Sequence, residues 1–228
     1  MTPVVTGPVD AVDMTYRLGN LTRMGDYVDA DRREVAPFVP LVGRLLDVGC
    51  GEGAFGALIE SRGTRVHGIE PNPTAAAIAT SRLSAVTVGR YPDDLPDIEP
   101  FGCIVFNDVL EHMPDPSIAL AAVRAHLAKG GTLVASVPNV RNISVVAPLV
   151  LRGRWDYSDW GILDRTHLRF FTKATMRELF ENAGFYVKQQ EPINMGTPTG
   201  KRKVLRLLGS RGQEFLADQY VIVAHQRH

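Results

Sequence analysis

Leu45-Leu46-Asp47-Val48-Gly49-Cys50-Gly51-Glu52-Gly53 decides the reading of this chain. An apolar run stops in three glycines set two apart, and Phe55, Leu58 and Ile59 resume at helical spacing. Strand, tight loop and helix start follow directly on one another. Glycine lets a backbone turn sharply and lets a ligand come close to the main chain. The free N–H groups at a helix start favour a negative group. About 20 residues further on, Glu70 closes the next apolar run, where a carboxylate can accept hydrogen bonds from both hydroxyls of a ribose. A glycine-rich structural turn is the competing reading, and the place between strand and helix argues against it.

Outward from the loop the pattern stays regular. Residues 65–69, 85–88, 102–107 and 132–137 read as strands. Asn72-Pro73 opens an Ala-rich helix, and Asp115-Pro116 opens another with the stripe Leu120, Val123, Leu127 and a stop at Gly130-Gly131. Strand and helix alternating five times imply crossover connections and a mainly parallel sheet, covered by helices on both faces. Ligands of such sheets bind beyond the carboxyl ends of the strands, where Gly49, Glu70 and Asn107-Asp108 all fall. An irregular stretch, 138–171, follows, with a short helix expected over 143–151. Thr175-Met176-Arg177-Glu178 then reads as a capping box. Residues 185–189 and 219–224 read as two strands without a long helix between them, hence an antiparallel pair. Residues 1–40 are expected to be an arm with some helix, and 41–228 the domain, with a lid-like insertion at about 139–171.

The 228 residues carry 25 Lys+Arg against 25 Asp+Glu. Zero net charge argues against a protein held to nucleic acid by a basic surface, and no nucleic-acid partner is expected. A chain this long buries roughly 70–75% of its unfolded surface and needs no disulfide or metal staple. Cys50 and Cys103 both lie in apolar strand-like segments, so a reduced, cytoplasmic chain is the expectation. Residues 1–13 lack a basic region followed by an apolar run. No apolar stretch reaches the roughly 20 residues of a membrane span.

Asp47 to Gly53, Glu70 and Asn107-Asp108-Val109-Leu110-Glu111-His112 resemble the first, ribose-binding and fourth-strand motifs of class I S-adenosylmethionine-dependent methyltransferases. The likeness covers about residues 45–224. A nicotinamide dehydrogenase would show different glycine spacing and no such fourth-strand segment. The resemblance implies a Rossmann-like α/β fold, a seven-stranded and mostly parallel sheet with a reversed last strand. It implies S-adenosyl-L-methionine as cofactor, leaving as S-adenosyl-L-homocysteine. The methionine end would lie near Asp47, Gly49, Cys50, Gly51 and Gly53, the ribose on Glu70 beside Pro71, with Asn107 and Asp108 on the fourth-strand side. Adenine would lie near Val88-Gly89-Arg90-Tyr91. Ser136-Val137-Pro138-Asn139 and Asp164-Arg165-Thr166-His167-Leu168-Arg169-Phe170-Phe171-Thr172 are similar to the small-molecule branch related to ubiquinone-biosynthesis O-methyltransferases. Within it the likeness is to members from sugar and polysaccharide pathways. Methionine-biosynthesis accessory proteins have a similar layout, which keeps a non-catalytic reading open.

Methyl transfer to a hydroxyl needs alignment and a base, and a neutral imidazole suits that base near pH 7. His167 is the expected base or substrate contact, the flanking Arg165 and Arg169 are expected substrate contacts, and His112 is expected to line the cofactor side. A loop-ordering bond competes for His167, and a bond at the helix start for His112. Asp108 can orient the acceptor or simply cap the turn. Trp155, Tyr157 and Trp160 can stack on an acceptor, pin the insertion, or form a homodimer contact. Lys201-Arg202-Lys203, with Arg206 and Arg211, is either a phosphate site or a solvated loop. No cluster shows metal-ligand spacing, and no metal is expected. The expected function is methyl transfer from S-adenosyl-L-methionine to a hydroxyl of a small molecule, a sugar or glycan intermediate. N-methylation is the alternative.

Overall fold

The computed structural model describes residues 31–195 and 209–227, without the side chains of Ser210 and Arg211. Seven strands make one sheet: β1 (Arg44–Val48), β2 (Arg65–Glu70), β3 (Ala85–Val88), β4 (Phe101–Asn107), β5 (Leu127–Pro138), β6 (Phe185–Ile193) and β7 (Gln219–Gln226). Their order is β3-β2-β1-β4-β5-β7-β6. The first five pair in parallel, and β7 lies antiparallel between β5 and β6. This is the Rossmann-like sheet with a reversed last strand. Helices α1 (Ala54–Glu60), α2 (Pro73–Ala79), α3 (Pro116–His126), α4 (Ile143–Arg152), α5 (Lys173–Asn182) and α6 (Gly209–Gln213) complete the described elements, with 3-10 turns at Ala36–Phe38 and Leu110–His112.

Side chains alternate through each strand, so the central strands feed two cores. Leu46, Ile104, Phe106, Leu133 and Ile222 pack toward α3 and α5, against Leu120, Met176 and Phe180. Leu45, Cys103, Val105, Val134 and Val221 share the other cluster with Phe55 and Ile59 of α1. The expected caps at Asn72 and Asp115 are present: their carboxamide and carboxylate oxygens accept from Thr74 N and Ser117 N at 2.9 Å each.

Three boundaries differ from the sequence reading. Helix α3 stops at His126, and Leu127 already belongs to β5, paired with Phe101. Gln226 Nε2 donates to Arg124 O (3.1 Å) and Leu127 O (3.4 Å), so side-chain donors close the helix end before the glycines do. The capping box of α5 is Thr172 with Thr175, one turn ahead of the expected one. Thr172 N donates to Thr175 Oγ1 at 2.9 Å, a partnership that a Ser/Thr-to-Glu pattern does not reveal. The described end of the arm is part of the core: Val35, Ala36 and Val39 are buried, and Arg62 donates to the carbonyls of Ala36 and Val39. Cys50 and Cys103 are free and buried. No helix of the described residues is long and apolar enough to cross a membrane.

Phe180 is fully buried between α5 and the sheet. Phe180→Ala is expected to lower unfolding free energy by roughly 3–5 kcal/mol, read as a lower urea midpoint at unchanged slope.

Candidate functional site

The loop after β1 turns through left-handed glycines: Gly49 at φ +70°, Gly51 at +55° and Gly53 at +87°. A Cβ on Gly49 would stand 2.7 Å from Val109 Cγ2, so glycine is required there by both backbone and space. Gly49 N and Cys50 N donate to Ile69 O (2.8 and 3.3 Å), which ties the loop to β2. The Cys50 side chain is buried against Gly68, where a Cβ would meet its sulfur at 2.4 Å. Cys50 therefore packs the loop and does not present its thiol to a ligand.

Two carboxyl groups sit behind this loop. Asp47 is 1% exposed and its Oδ2 has no hydrogen-bond partner. Burial, then the neighbouring Glu70, pushes its carboxyl up to about 8. Glu70 at the end of β2 accepts from Gly51 N (3.0 Å) and Asn72 N (2.9 Å). Burial raises its carboxyl, and these two hydrogen bonds work against that rise. Pro71 beside it is exposed. At the end of β4, Asn107 has both amide atoms buried without a partner. Beyond β3, Gly89 N donates to Glu70 O (3.0 Å) and Asp94 folds back to accept from Arg90 N (2.7 Å).

Asp108 is the most heavily bonded residue of the site. It adopts φ +52° and accepts from Arg32, from Ser136 Oγ (2.8 Å) and from Gln219 Nε2 (3.0 Å). Both oxygens are committed to the protein, so in this arrangement Asp108 anchors the segment that carries Arg32 and does not face an acceptor. Arg32 also reaches Ser136 Oγ (3.2 Å) and Gln219 Oε1 (3.0 Å), with Glu34 2.9 Å from its Nε.

The histidines differ from expectation. His167 is 8% exposed; its Nδ1 donates to Ile162 O (3.0 Å), and Nε2 faces Glu111 Oε1 at 4.0 Å. The Nδ1 bond fits the loop-ordering reading and leaves Nε2, beside Glu111, as the one ring nitrogen without a hydrogen bond. Glu111 is 1% exposed, neither of its carboxyl oxygens has a partner, and burial holds its carboxyl well above the usual range. His112 is exposed along one edge, although its ring is crowded by His167 at a centroid distance of 4.8 Å. Its Nδ1 lies 3.2 Å from Thr166 Oγ1 and 3.3 Å from Thr166 O. Burial, then His167, lowers its pKa, which leaves a neutral imidazole at neutral pH. Ligand-type atoms of Glu111, His112 and His167 lie within 4.8 Å of one another, so the fold gathers a set able to hold a metal ion where the sequence spacing showed none.

The insertion closes on itself through the bridge Asn139↔Phe171. Trp155 stacks edge-on against Phe170 (5.1 Å), with Tyr157 tilted on the same ring at 6.4 Å. Arg165 pairs with Asp159 (2.7 Å), and Arg169 donates to Pro114 O. Of the expected substrate contacts, Trp155 and Arg165 therefore bond within the insertion and Arg169 ties it to the turn after β4, while Tyr157 and Trp160 stand 51% and 81% exposed. Lys201 to Lys203 and Arg206 lie outside the described residues, as does the Arg211 side chain. Sequence reasoning missed Arg32, Glu111 as a buried acid, and Thr166. A polar residue inside the apolar turn after β4 was the one available signal, for Glu111.

A left-handed glycine turn, buried acids at the ends of β1 and β2, and orphaned polar atoms at the end of β4 define a Rossmann-like cofactor site at the carboxyl edge of the sheet. The family model described as a methyltransferase domain matches residues 21–190, and the chain belongs to that family. It is 25% identical over 162 residues to a ubiquinone biosynthesis O-methyltransferase of Aeromonas salmonicida, covering 66% of each chain. It is 28% identical over 178 residues to one of Psychrobacter arcticus, covering 70% of this chain and 65% of that one. The match thus spans just under two thirds of these relatives' length. Among solved structures, a SAM-dependent methyltransferase from Archaeoglobus fulgidus superposes with TM-score 0.62 at 19% identity, over 93% of this chain and 99% of that one. A glycopeptide N-methyltransferase complexed with (S)-adenosyl-L-methionine superposes with TM-score 0.58 at 16% identity, over 86% and 92%.

S-adenosylmethionine fits these residues: the unpartnered Asp47 oxygen suits an ammonium or sulfonium, and the glycine turn admits close approach. Gly49→Ala is expected to weaken its binding at least tenfold by titration calorimetry, with the circular dichroism spectrum unchanged. Because Asp47 binds a proton up to about pH 8, a cationic ligand beside it should expel that proton. Binding at pH 7 should release protons, seen as an enthalpy that depends on the buffer's own ionisation heat. Asp47→Asn should abolish that dependence.

Proposed function

We propose that the chain transfers a methyl group from S-adenosylmethionine to a hydroxyl of a small molecule, with a sugar or glycan intermediate as the acceptor to test first. The observation that carries this reading is His112, an exposed residue just beyond β4 whose imidazole Nδ1 is held by Thr166 and whose pKa is lowered by burial and by His167. A hydroxyl must lose its proton as the new bond forms, and a neutral imidazole can take it. The names of the curated relatives, O-methyltransferases, support oxygen as the acceptor atom. Exposed Trp160 and half-exposed Tyr157 support an acceptor with a flat apolar face to stack on.

In this reading Asp47, the 49–53 turn and Asn107 hold the methionine end of the cofactor, and Glu70 holds the ribose. Adenine falls at the end of β3 near Asp94. The bound cofactor supplies an electrophilic methyl on sulfonium sulfur. The protein aligns the acceptor oxygen and receives the hydroxyl proton on His112 Nε2.

His112→Asn should reduce kcat by about 10²–10⁴-fold while cofactor affinity stays within twofold. The base must be neutral, so activity should rise with pH through the His112 pKa. Burial and His167 depress that pKa, so the acid limb of kcat/KM should lie below the ordinary imidazole value of about 6.5, with a plateau by pH 7. Mass and NMR analysis placing the new methyl on nitrogen would overturn the O-methyl assignment.

A further inference from the structure

We propose that Thr166 and Asp164 are positioning residues that set the tautomer of His112, leaving Nε2 as its basic nitrogen. The proposal rests on the reading of His112 as the base. Asp164 Oδ1 accepts from both Thr166 N (2.7 Å) and Thr166 Oγ1 (2.6 Å). A threonine hydroxyl has one proton to give, and here it goes to Asp164. Toward His112, Thr166 Oγ1 can then act only as an acceptor. Thr166 O, the second atom facing His112 Nδ1, is an acceptor by nature. Two acceptors on Nδ1 require a hydrogen there, so the lone pair of the neutral ring sits on Nε2.

The support for this pair is itself fixed. Asp164 N donates to Gly161 O (3.1 Å), and His167 N donates to Asp164 O (3.0 Å). The next two amides, Leu168 N and Arg169 N, both donate to Glu111 O (2.8 and 3.0 Å), which ties the loop to the 3-10 turn that carries His112. Loop and turn therefore move as one piece. The charged and titratable groups that bear on His112 are Glu111 from its own turn, His167 and Asp164 from this loop, and Asp108 from the end of β4. Base, orienting hydroxyl and buried support form the same logic as a nucleophile's base held by a third group, with a threonine inserted between imidazole and carboxylate.

The tautomer is read without any acceptor, by two-dimensional ¹H–¹⁵N correlation of the histidine rings in the whole protein, with His112 assigned by its loss in His112→Asn. The wild-type chain and Thr166→Ser should show hydrogen on Nδ1. Thr166→Val, which keeps the Asp164 bond to residue 166 N, should weaken the Nδ1–H preference and lower the His112 pKa. Asp164→Ala frees the hydroxyl to donate to Nδ1 and should populate hydrogen on Nε2. Asp164→Asn, which retains an acceptor oxygen, should stay near wild type and guards against a loop that has simply lost its fold. With an active acceptor, Asp164→Ala should lower kcat about tenfold or more with KM nearly unchanged, as expected for a base in the wrong tautomer.

Hydrogen on Nε2 in the wild-type chain would overturn the assignment, as would an unaltered His112 in both Thr166→Val and Asp164→Ala. Joint perturbation of His112 and His167 by added Zn²⁺ or Mg²⁺, with turnover dependent on the ion, would make His112 a metal ligand and overturn it too. Full turnover by His112→Asn with the Nδ1–H tautomer present would uphold the positioning pair and sink the base reading alone.

Discussion

Asp47 places a carboxyl in the middle of an apolar strand, strips it of water, and leaves one oxygen without a partner. An unpaired buried polar group costs about 1–3 kcal/mol. The group keeps its proton to limit that cost, as its raised pKa records. The rest of the site follows from the arrangement. A carboxyl can stay at that depth only where the chain above it turns away at once, which the left-handed Gly49 allows. The turn in turn hangs on β2 through Ile69 O and leans on Glu70 through Gly51 N. A cation placed over Asp47 would convert this unpaired buried group into half of an ion pair.

What could be read from sequence was what local chemistry decides. The glycine turn, the strand–helix alternation except between β3 and β4, where the structure has a loop and no helix, the caps at Asn72 and Asp115, and the antiparallel final pair all depend on neighbours a few residues apart. The seven-strand topology with its reversed last strand was implied by the resemblance to class I methyltransferases, and the sheet order bears it out. The site was legible on the cofactor side for the same reason: Asp47, Gly49 and Glu70 are each placed by the end of a strand. The acceptor side was not. Arg32 and Asp108 are 76 residues apart, and His112 and Thr166 are 54 apart. No periodicity or spacing links such residues. The choice between His167 and His112 depended on which ring nitrogens the folded loop consumes, a fact that appears only when Ile162 O and Thr166 are in place.

The described non-glycine residues in the left-handed region are Arg32, Asp108 and Asn194, and all three belong to one hydrogen-bonded group. Asn194 Nδ2 reaches Gln219 Oε1 (2.9 Å) and Glu34 Oε1 (3.3 Å), and Gln219 joins Asp108. Such conformations cost of order 1–3 kcal/mol each and persist where the surroundings over-determine them. Here the surroundings are charge-assisted bonds from an arginine. The segment before β1, the turn after β4 and the ends of β5, β6 and β7 are thereby held to one another at the carboxyl edge of the sheet.

The bridge between Asn139 and Phe171 makes the insertion a loop whose two ends already touch. Closing a loop costs entropy that grows only with the logarithm of its length. A stretch joined this way can lengthen, shorten or change composition without altering strand register or the glycine turn. Its contents include the aromatic cluster on Phe170 and the exposed Trp160, while Leu168 N and Arg169 N pin it to Glu111 O after β4. The two ends of the segment stay fixed at Asn139 and Phe171 whatever lies between them.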